Sequence, residues 1–166
     1  LVPSLRIALS QVNPTVGDLA GNAELVRRGA ASAADQGARL AVFPEMVLTG
    51  YPVEDLALRP SFQDASRAAL QTLARDLADD GLGDLPCLVG YLDFLDDAAE
   101  QAPGRPRRAP VNAAALLQGG EVRHRYVKHH LPNYGVFDEA RYFVPGNEPL
   151  VLDVDGVSVA VAICED

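Results

Sequence analysis

The chain has 166 residues, a length that suits a single domain with a buried core. Hydrophobic residues make up 48% of it and the formal net charge is −9, which disfavours nucleic acid and anionic membrane surfaces as main partners. No apolar run approaches the ~20 residues of a membrane span, and two cysteines are too few for a disulfide framework, which favours a reducing cytoplasm.

The start of the chain predicts a β-α-β unit. Residues 5–12 form an apolar run that predicts a buried strand, and residues 40–43 form a second one that Pro44 ends. Between them, apolar residues at helical spacing predict a helix to about Gln36, with either Asp18 or Asn22 as its N-cap. Such a unit implies a right-handed crossover between neighbouring, parallel strands.

The middle of the chain predicts a second helix and a long strand. Ser61 is predicted as the N-cap of this helix, with Asp64 three residues later completing a weak capping box, and Gly81 ends it. Residues 85–95 predict a buried strand. Residues 96–110 contain three prolines and three arginines, which predicts a solvated loop.

The last third of the chain predicts two β-hairpins. Their predicted turns are Gly119-Gly120, between strands 111–118 and 122–127, and Asp155-Gly156, between strands 150–154 and 157–163. In the final strand, valine and isoleucine alternate with small residues, which predicts close packing or binding against the small face. Because nothing in the sequence would cover that strand, we expect the sequence to be part of a longer protein. The elements together indicate an α/β fold with layered strands and helices on a face.

Three polar residues directly follow predicted strands: Glu45, Lys128 and Cys164. In open α/β sheets, functional residues gather at the carboxyl ends of strands. Lys128 is the only lysine among 14 fixed cations, and a lysine is a compact charge that responds to burial, unlike the arginine fork. Each residue also has an ordinary interpretation: a solvated cap for Glu45, a surface charge for Lys128 and a core position for Cys164.

Two sets of residues carry a family resemblance. Phe-Pro-Glu at 43–45, the segment that begins at Lys128, and Ile-Cys-Glu-Asp at 163–166 resemble the nitrilase, or carbon–nitrogen hydrolase, superfamily, whose signature is a Glu-Lys-Cys triad in this order. Residues 45–62 and 128–143 more narrowly resemble the glutaminase domain of glutamine-dependent NAD⁺ synthetases. The resemblance covers the whole chain. It implies an α/β fold of the nitrilase-like α-β-β-α sandwich type, incomplete at the C-terminal side, with residues 1–166 as the N-terminal part of a glutamine amidohydrolase domain.

The resemblance also implies a reaction, the hydrolysis of the glutamine side-chain amide through a cysteine thioester. A free thiol is only a few per cent thiolate near neutral pH, so the nucleophile needs a base or a nearby cation. The implied roles are nucleophile for Cys164, base and later acid for Glu45, oxyanion stabilisation for Lys128 and the backbone N–H of Glu165, orientation of the lysine and substrate for Glu139, and the glutamine pocket for Tyr51, Tyr134 and Phe137.

The same resemblance implies partners for the reaction. The hydrolysis itself needs no cofactor, whereas ATP, Mg²⁺ and deamido-NAD⁺ are expected as ligands of a synthetase domain in the same chain, outside this sequence. Ammonia would reach that domain through a tunnel, in a homo-oligomer. We expect no metal site, because His129 and His130 would point to opposite faces if the preceding strand continued through them.

Three alternatives remain open at this point. A stand-alone nitrilase-family amidase would use the same triad on another amide. A papain-like cysteine–histidine hydrolase would leave Glu45 and Lys128 without a role. A non-catalytic module that kept only the fold is disfavoured by the presence of all three triad residues.

Overall fold

A computed structural model describes residues 4–96 and 108–166, and its centre is a five-stranded mixed sheet. The strands lie in chain order across the sheet. The first three strands run parallel to one another, and the fourth and fifth are each antiparallel to the strand before them. The predicted parallel pairing at the start of the chain is therefore confirmed. The strands are β1 (Ile7–Leu9), β2 (Leu40–Val42), β3 (Cys87–Leu95), β4 (Ala109–Gln118) and β5 (Glu121–Val127).

Two long helices, α1 (Leu19–Asp35) and α2 (Pro60–Asp79), cover one face of this sheet. Asp18 caps α1, because its side chain accepts a hydrogen bond from the N–H of Gly21 at 2.9 Å. The alternative cap, Asn22, is instead buried inside the helix, where its amide joins α1 to the backbone of Thr15 and Leu48. The apolar faces of both helices bury against the sheet and form the largest core cluster.

The predicted start of α2 is wrong by two residues. The helix begins at Pro60 with Arg59 at the N-cap, and no side chain caps it. Proline at the first helical position has its φ already set for a helix and has no N–H to leave unpaired. Ser61 therefore lies inside the first turn, and it forms no capping box with Asp64. Most of the predicted loop at 96–110 lies outside the described residues, and β4 already begins at Ala109.

A hairpin of β6 (Leu150–Val154) and β7 (Val157–Val161) packs on the opposite face of the sheet. Leu152 and Val154 of β6 contact a row of leucines from the sheet, which are Leu40, Leu88 and Leu116. The described residues thus build three layers: helices, five-stranded sheet and hairpin. Within them, the only two long helices lie on the same side.

Both predicted hairpin turns are confirmed. Gly119 and Gly120 have φ of 64° and 77°, and Asp155 and Gly156 have φ of 53° and 77°, the pair of positive angles that a type I′ turn requires. β7 ends at Val161, two residues earlier than predicted, and its small residues are exposed while its valines are half-buried. Among residues 4–96 and 108–166, no helix is both long and apolar enough to span a bilayer.

Candidate active site

Glu45 lies just beyond β2, on a segment that crosses closely over β3. A Cβ atom on Gly90 of β3 would lie 2.3 Å from the N atom of Met46 and 2.6 Å from the O atom of Pro44, so only glycine permits the crossing. The carbonyl of Gly90 accepts a hydrogen bond from the N–H of Leu48 at 3.1 Å, which holds the segment in place. Close approach of two backbones therefore fixes where Glu45 stands.

Lys128 directly follows β5, and both of its backbone groups are hydrogen-bonded. Its N–H donates to the carbonyl of Asn112 in β4, and its carbonyl accepts from the N–H of Gly146, each at 2.9 Å. The side chain is fully buried. Its Nζ atom donates to Oε1 of Glu45 at 2.7 Å and to Oε1 of Glu139 at 3.0 Å. A buried ammonium thus lies between two carboxylates.

Lys128 keeps its charge in this environment. Burial alone lowers the pKa of Lys128, but the hydrogen bonds and charges of Glu45 and Glu139 outweigh burial and leave that pKa above its ordinary value. Lysine at this position is therefore an ammonium at neutral pH.

Glu139 is 3% exposed and begins the short helix α3 (Glu139–Tyr142). The hydroxyl of Tyr51 donates to its Oε1 at 2.9 Å, and partial burial together with this carboxylate raises the pKa of Tyr51. Asn112 contacts both carboxylates: Nδ2 donates to Oε1 of Glu45 at 2.7 Å and lies 3.5 Å from Oε2 of Glu139. Sequence reasoning missed Asn112, although it is the only polar residue in the buried run at 111–117.

Cys164 follows β7 in a left-handed backbone conformation, with φ of 50°, and is exposed. It lines a cavity of about 110 Å³ together with Glu45, Gly90 and Ala114, between the sheet and the hairpin strand. Partial burial and the Glu45 carboxylate raise the pKa of the Cys164 thiol, and the opposing effect of Lys128 is too small to reverse this. At neutral pH Cys164 is therefore a neutral thiol, which would need a base in order to act as a nucleophile.

The side chain of Asp166, which sequence reasoning did not assign, fixes the turn that carries Cys164. Its Oδ1 accepts from the N–H groups of His129 and His130, at 3.0 and 2.8 Å. Its Oδ2 accepts from the N–H of Ile163 at 3.1 Å and from the hydroxyl of Tyr126 at 2.7 Å. Burial alone raises the pKa of Asp166, but these hydrogen bonds outweigh it and lower the pKa. One carboxylate thus joins the cysteine turn to the segment after Lys128.

The predicted pocket residues fall into two groups. Tyr51 lies at Glu139, whereas the hydroxyl of Tyr134 donates to Oε2 of Glu165 at 2.9 Å, beside Cys164. The ring of Phe137 packs edge-on against Tyr134 with 5.8 Å between centroids. Within the described part of the chain, the backbone N–H of Glu165 donates to no acceptor, which leaves it available to a ligand.

His129 and His130 differ from the sequence-based expectation. β5 ends at Val127, so the strand does not continue through them, and their rings meet edge to face with 4.6 Å between centroids. Nδ1 of His129 lies 2.6 Å from the carbonyl oxygen of Gly146. The residues at 4–96 and 108–166 contain no group of three His, Cys, Asp or Glu side chains arranged to hold a metal ion.

Known proteins resemble this chain over nearly its whole length. The family model described as carbon-nitrogen hydrolase matches residues 6–166. A glutamine-dependent NAD(+) synthetase from Thermotoga maritima is 44% identical over 162 residues, which cover 98% of this chain and 26% of that protein. The chain spans about a quarter of the length of the curated relatives that it matches.

Solved structures give the same result. Glutamine-dependent NAD+ synthetase from Acinetobacter baumannii, in complex with adenosine diphosphate, matches with a TM-score of 0.81 and 34% identity, over 98% of this chain and 28% of that one. An amidase from Nesterenkonia sp. matches with a TM-score of 0.70 and 30% identity, over 97% and 56%. In a variant of the amidase from Nesterenkonia sp. AN1, the acetamide moiety of fluoroacetamide is covalently added at the active-site cysteine. From the family match over nearly its whole length, the chain belongs to the carbon-nitrogen hydrolase family.

Proposed function

We propose that residues 1–166 are the N-terminal part of the glutamine amidohydrolase domain of a glutamine-dependent NAD⁺ synthetase. The observation that carries this proposal is the buried Lys128 ammonium between Glu45 and Glu139, with Glu45 and Cys164 on one cavity. This arrangement supplies a base, a cation and a nucleophile for opening an amide. The relatives that cover nearly the whole chain, and are named as glutamine-dependent NAD⁺ synthetases, support glutamine as the amide.

In the first step, the Sγ atom of Cys164 attacks the side-chain amide carbon of glutamine, and Glu45 takes the thiol proton. A base is needed because the pKa of this thiol is raised, so the thiolate is scarce at neutral pH. The tetrahedral intermediate then breaks its C–N bond, and Glu45 returns the proton to the departing ammonia. A thioester on Cys164 remains.

The negative oxygen of that intermediate needs donors that are in place before it forms. Lys128 and the free backbone N–H of Glu165 supply them in this proposal. A pre-aimed donor of this kind typically contributes about 2.7–4 kcal/mol, or roughly 10²–10³ in rate. Glu139 holds Lys128 in position without contacting the reacting atoms.

Water completes the cycle. Glu45 takes a proton from a water molecule that attacks the thioester carbon. The C–S bond then breaks, Glu45 returns that proton to the Cys164 sulfur, and the acid product leaves and ionises to glutamate. Tyr51, Tyr134 and Phe137 shape the glutamine pocket in this proposal; Tyr134 is anchored on Glu165 and Tyr51 on Glu139.

The released ammonia is proposed to amidate deamido-NAD⁺ in an ATP- and Mg²⁺-dependent synthetase domain of the same chain. The described residues contain no group of three His, Cys, Asp or Glu side chains arranged to hold Mg²⁺. In this proposal ATP, Mg²⁺ and deamido-NAD⁺ bind that other domain, and no step is derived through them. A homo-oligomer, an ammonia tunnel and a cytoplasmic location stay predictions.

The test replaces the nucleophile in the full-length protein. Cys164→Ala is expected to abolish NAD⁺ formation with glutamine as the nitrogen donor and to leave NAD⁺ formation with ammonium chloride within about twofold of normal, because the proposed synthetase domain does not use the thiol. NAD⁺ would be measured by coupled reduction to NADH. Glutamine-dependent synthesis that survives the substitution would refute the proposal.

A stand-alone amidase is the second candidate, favoured by the match to the Nesterenkonia amidase over more than half of that chain. The same protein preparation distinguishes the two. Ammonia release from acetamide or butyramide that exceeds release from glutamine, without any NAD⁺ formation, would identify an amidase of simple amides instead.

A further inference from the structure

Asn112 is a fully buried polar side chain in the middle of β4, and no role has been given to it so far. Its Nδ2 atom donates to Oε1 of Glu45 at 2.7 Å, the same oxygen that receives the ammonium of Lys128 at 2.7 Å. Nδ2 also lies 3.5 Å from Oε2 of Glu139. One neutral amide therefore spans both carboxylates of the site.

The orientation of this amide is set by the charges around it. Turning it over would place its oxygen against two carboxylate oxygens, which is repulsive. In the orientation found, its own Oδ1 is buried and has no hydrogen-bond partner among the described residues. Proteins seldom leave a buried acceptor unpaired, and each such group calls for a structural or catalytic reason. The orientation found directs Nδ2 to Glu45 and leaves Oδ1 unpaired among the described residues.

The two oxygens of Glu45 differ in their hydrogen bonds to Asn112 and Lys128. The hydrogen bonds from Asn112 and Lys128 both end on Oε1, so neither of these donors occupies Oε2. We propose that Asn112 is a positioning residue that, together with Lys128, anchors Oε1 of Glu45 and leaves Oε2 as the oxygen that accepts the Cys164 proton. The proton passes from Sγ to Oε2 and later from Oε2 to ammonia. This inference rests on the proposed function.

The side chain of Asn112 can be changed without disturbing the backbone that places Lys128. That backbone bond runs from the N–H of Lys128 to the carbonyl of Asn112, and any residue at this position retains it. Substitution therefore removes the donor to Glu45 selectively. Val111, the neighbour of Asn112 on β4, is fully buried in the helix-side core and provides a matched control.

The experiment compares Asn112→Leu with Val111→Ala in the full-length protein. Leucine has nearly the shape of asparagine but no donor, so the kcat of glutamine hydrolysis should fall about 10- to 100-fold while the KM changes less than about twofold. The acidic limb of the kcat/KM profile should move up by about one pH unit, because the ionised carboxylate has lost a hydrogen bond. Val111→Ala should lower the thermal midpoint and leave the pH profile unmoved.

A second measurement does not require glutamine turnover. The pH dependence of Cys164 alkylation by iodoacetamide should shift upward in Asn112→Leu, and further in Asn112→Asp, which keeps the shape but adds a negative charge. If the unaltered protein alkylates but releases no ammonia from glutamine, the proposed function fails, and the alkylation series still tests Asn112. Losses that track the thermal midpoint equally in Asn112→Leu and Val111→Ala, with unmoved pH profiles in both assays, would overturn the inference.

Discussion

At the scale of single residues, the acidity of Cys164 follows from the charges beside it. The ammonium of Lys128 is paired with two carboxylates, Glu45 and Glu139. Because they offset its positive charge, Lys128 does little to lower the pKa of the Cys164 thiol. Sequence reasoning stated that the cysteine needs a base or a nearby cation, and it named Glu45 as the base. The raised pKa of the thiol favours the base.

Replacing Glu45, the proposed base, should separate the effect on thiol acidity from the effect on turnover. Glu45→Gln removes a negative charge near Cys164, so the thiol pKa should fall and alkylation by iodoacetamide near neutral pH should become faster. Glutamine hydrolysis should nevertheless drop by about 10²–10⁴, because proton transfer is lost. Mass spectrometry of tryptic peptides measures both sites at once, with Cys87 as reference, since burial raises the pKa of that thiol to about 12. Slower alkylation of Cys164 in this variant would mean that the resting protein already holds a thiolate.

At the scale of elements, the position of Glu45 depends on how closely the segment after β2 crosses β3. Gly90 lies where a side chain would collide with the backbone of Pro44 and Met46. The neighbouring positions on β3 carry Val89 and Tyr91, so the glycine interrupts an otherwise bulky strand. A glycine inside a strand commonly indicates such a close approach. Here Gly90 lies against the segment that carries the candidate catalytic carboxylate of Glu45.

Gly90→Ala should therefore damage the site more than the fold. The added Cβ must displace backbone, which should cost about 1–3 kcal/mol of stability. A shift of about 1 Å in Glu45 should reduce glutamine hydrolysis roughly 10²-fold. Gly83→Ala is the matched control, because a Cβ there meets its nearest atoms at an ordinary 3.5 Å. Steady-state kinetics and thermal midpoints of both variants check the prediction, which equal activity of the two would contradict.

At the scale of the whole molecule, sequence patterns predicted the elements and their neighbours but not the contacts that fix the site. Apolar runs, turn residues and strand ends can be recognised from neighbouring residues in the sequence. They predicted that Glu45, Lys128 and Cys164 each directly follow a strand. Asn112 and Asp166 escaped because their partners are distant in sequence: 67 positions separate Asn112 from Glu45, and 40 separate Asp166 from Tyr126. The role of a lone polar residue in an apolar strand can be inferred only when its partners in the fold are known, here Glu45 beyond β2 and Glu139 in α3.

The layers of the molecule are also joined by charge, away from the site. Asp93 of β3 is buried, and its carboxylate accepts hydrogen bonds from Arg67 of α2 at 2.8 Å and Arg125 of β5 at 2.9 Å. The hydroxyl of Tyr91 adds a third at 2.7 Å. Burial alone raises the pKa of Asp93, but these hydrogen bonds outweigh it and leave the pKa lowered. The carboxylate therefore links helix α2 to strands β3 and β5.

Asp93→Asn should weaken that link in a pH-dependent way. Near neutral pH the loss of a charged hydrogen-bond acceptor should cost about 1.5–3 kcal/mol and lower the thermal midpoint by about 3–12 °C. Because folding lowers the pKa of Asp93, its contribution is complete above the unfolded value of about 3.9 and disappears as pH falls through the folded value. The difference in midpoint between the two proteins should thus be constant from about pH 7 to about pH 5 and shrink below about pH 4.

Asp96→Asn is the control for this prediction, since Asp96 is exposed and lies 4.0 Å from the nearest nitrogen atoms of its arginine partners. A surface ion pair at that distance contributes little, so its loss should leave the midpoint nearly unchanged. Differential scanning fluorimetry across the same pH range measures both variants. Equal midpoints for Asp93→Asn and Asp96→Asn at neutral pH would show that the buried carboxylate does not join the layers.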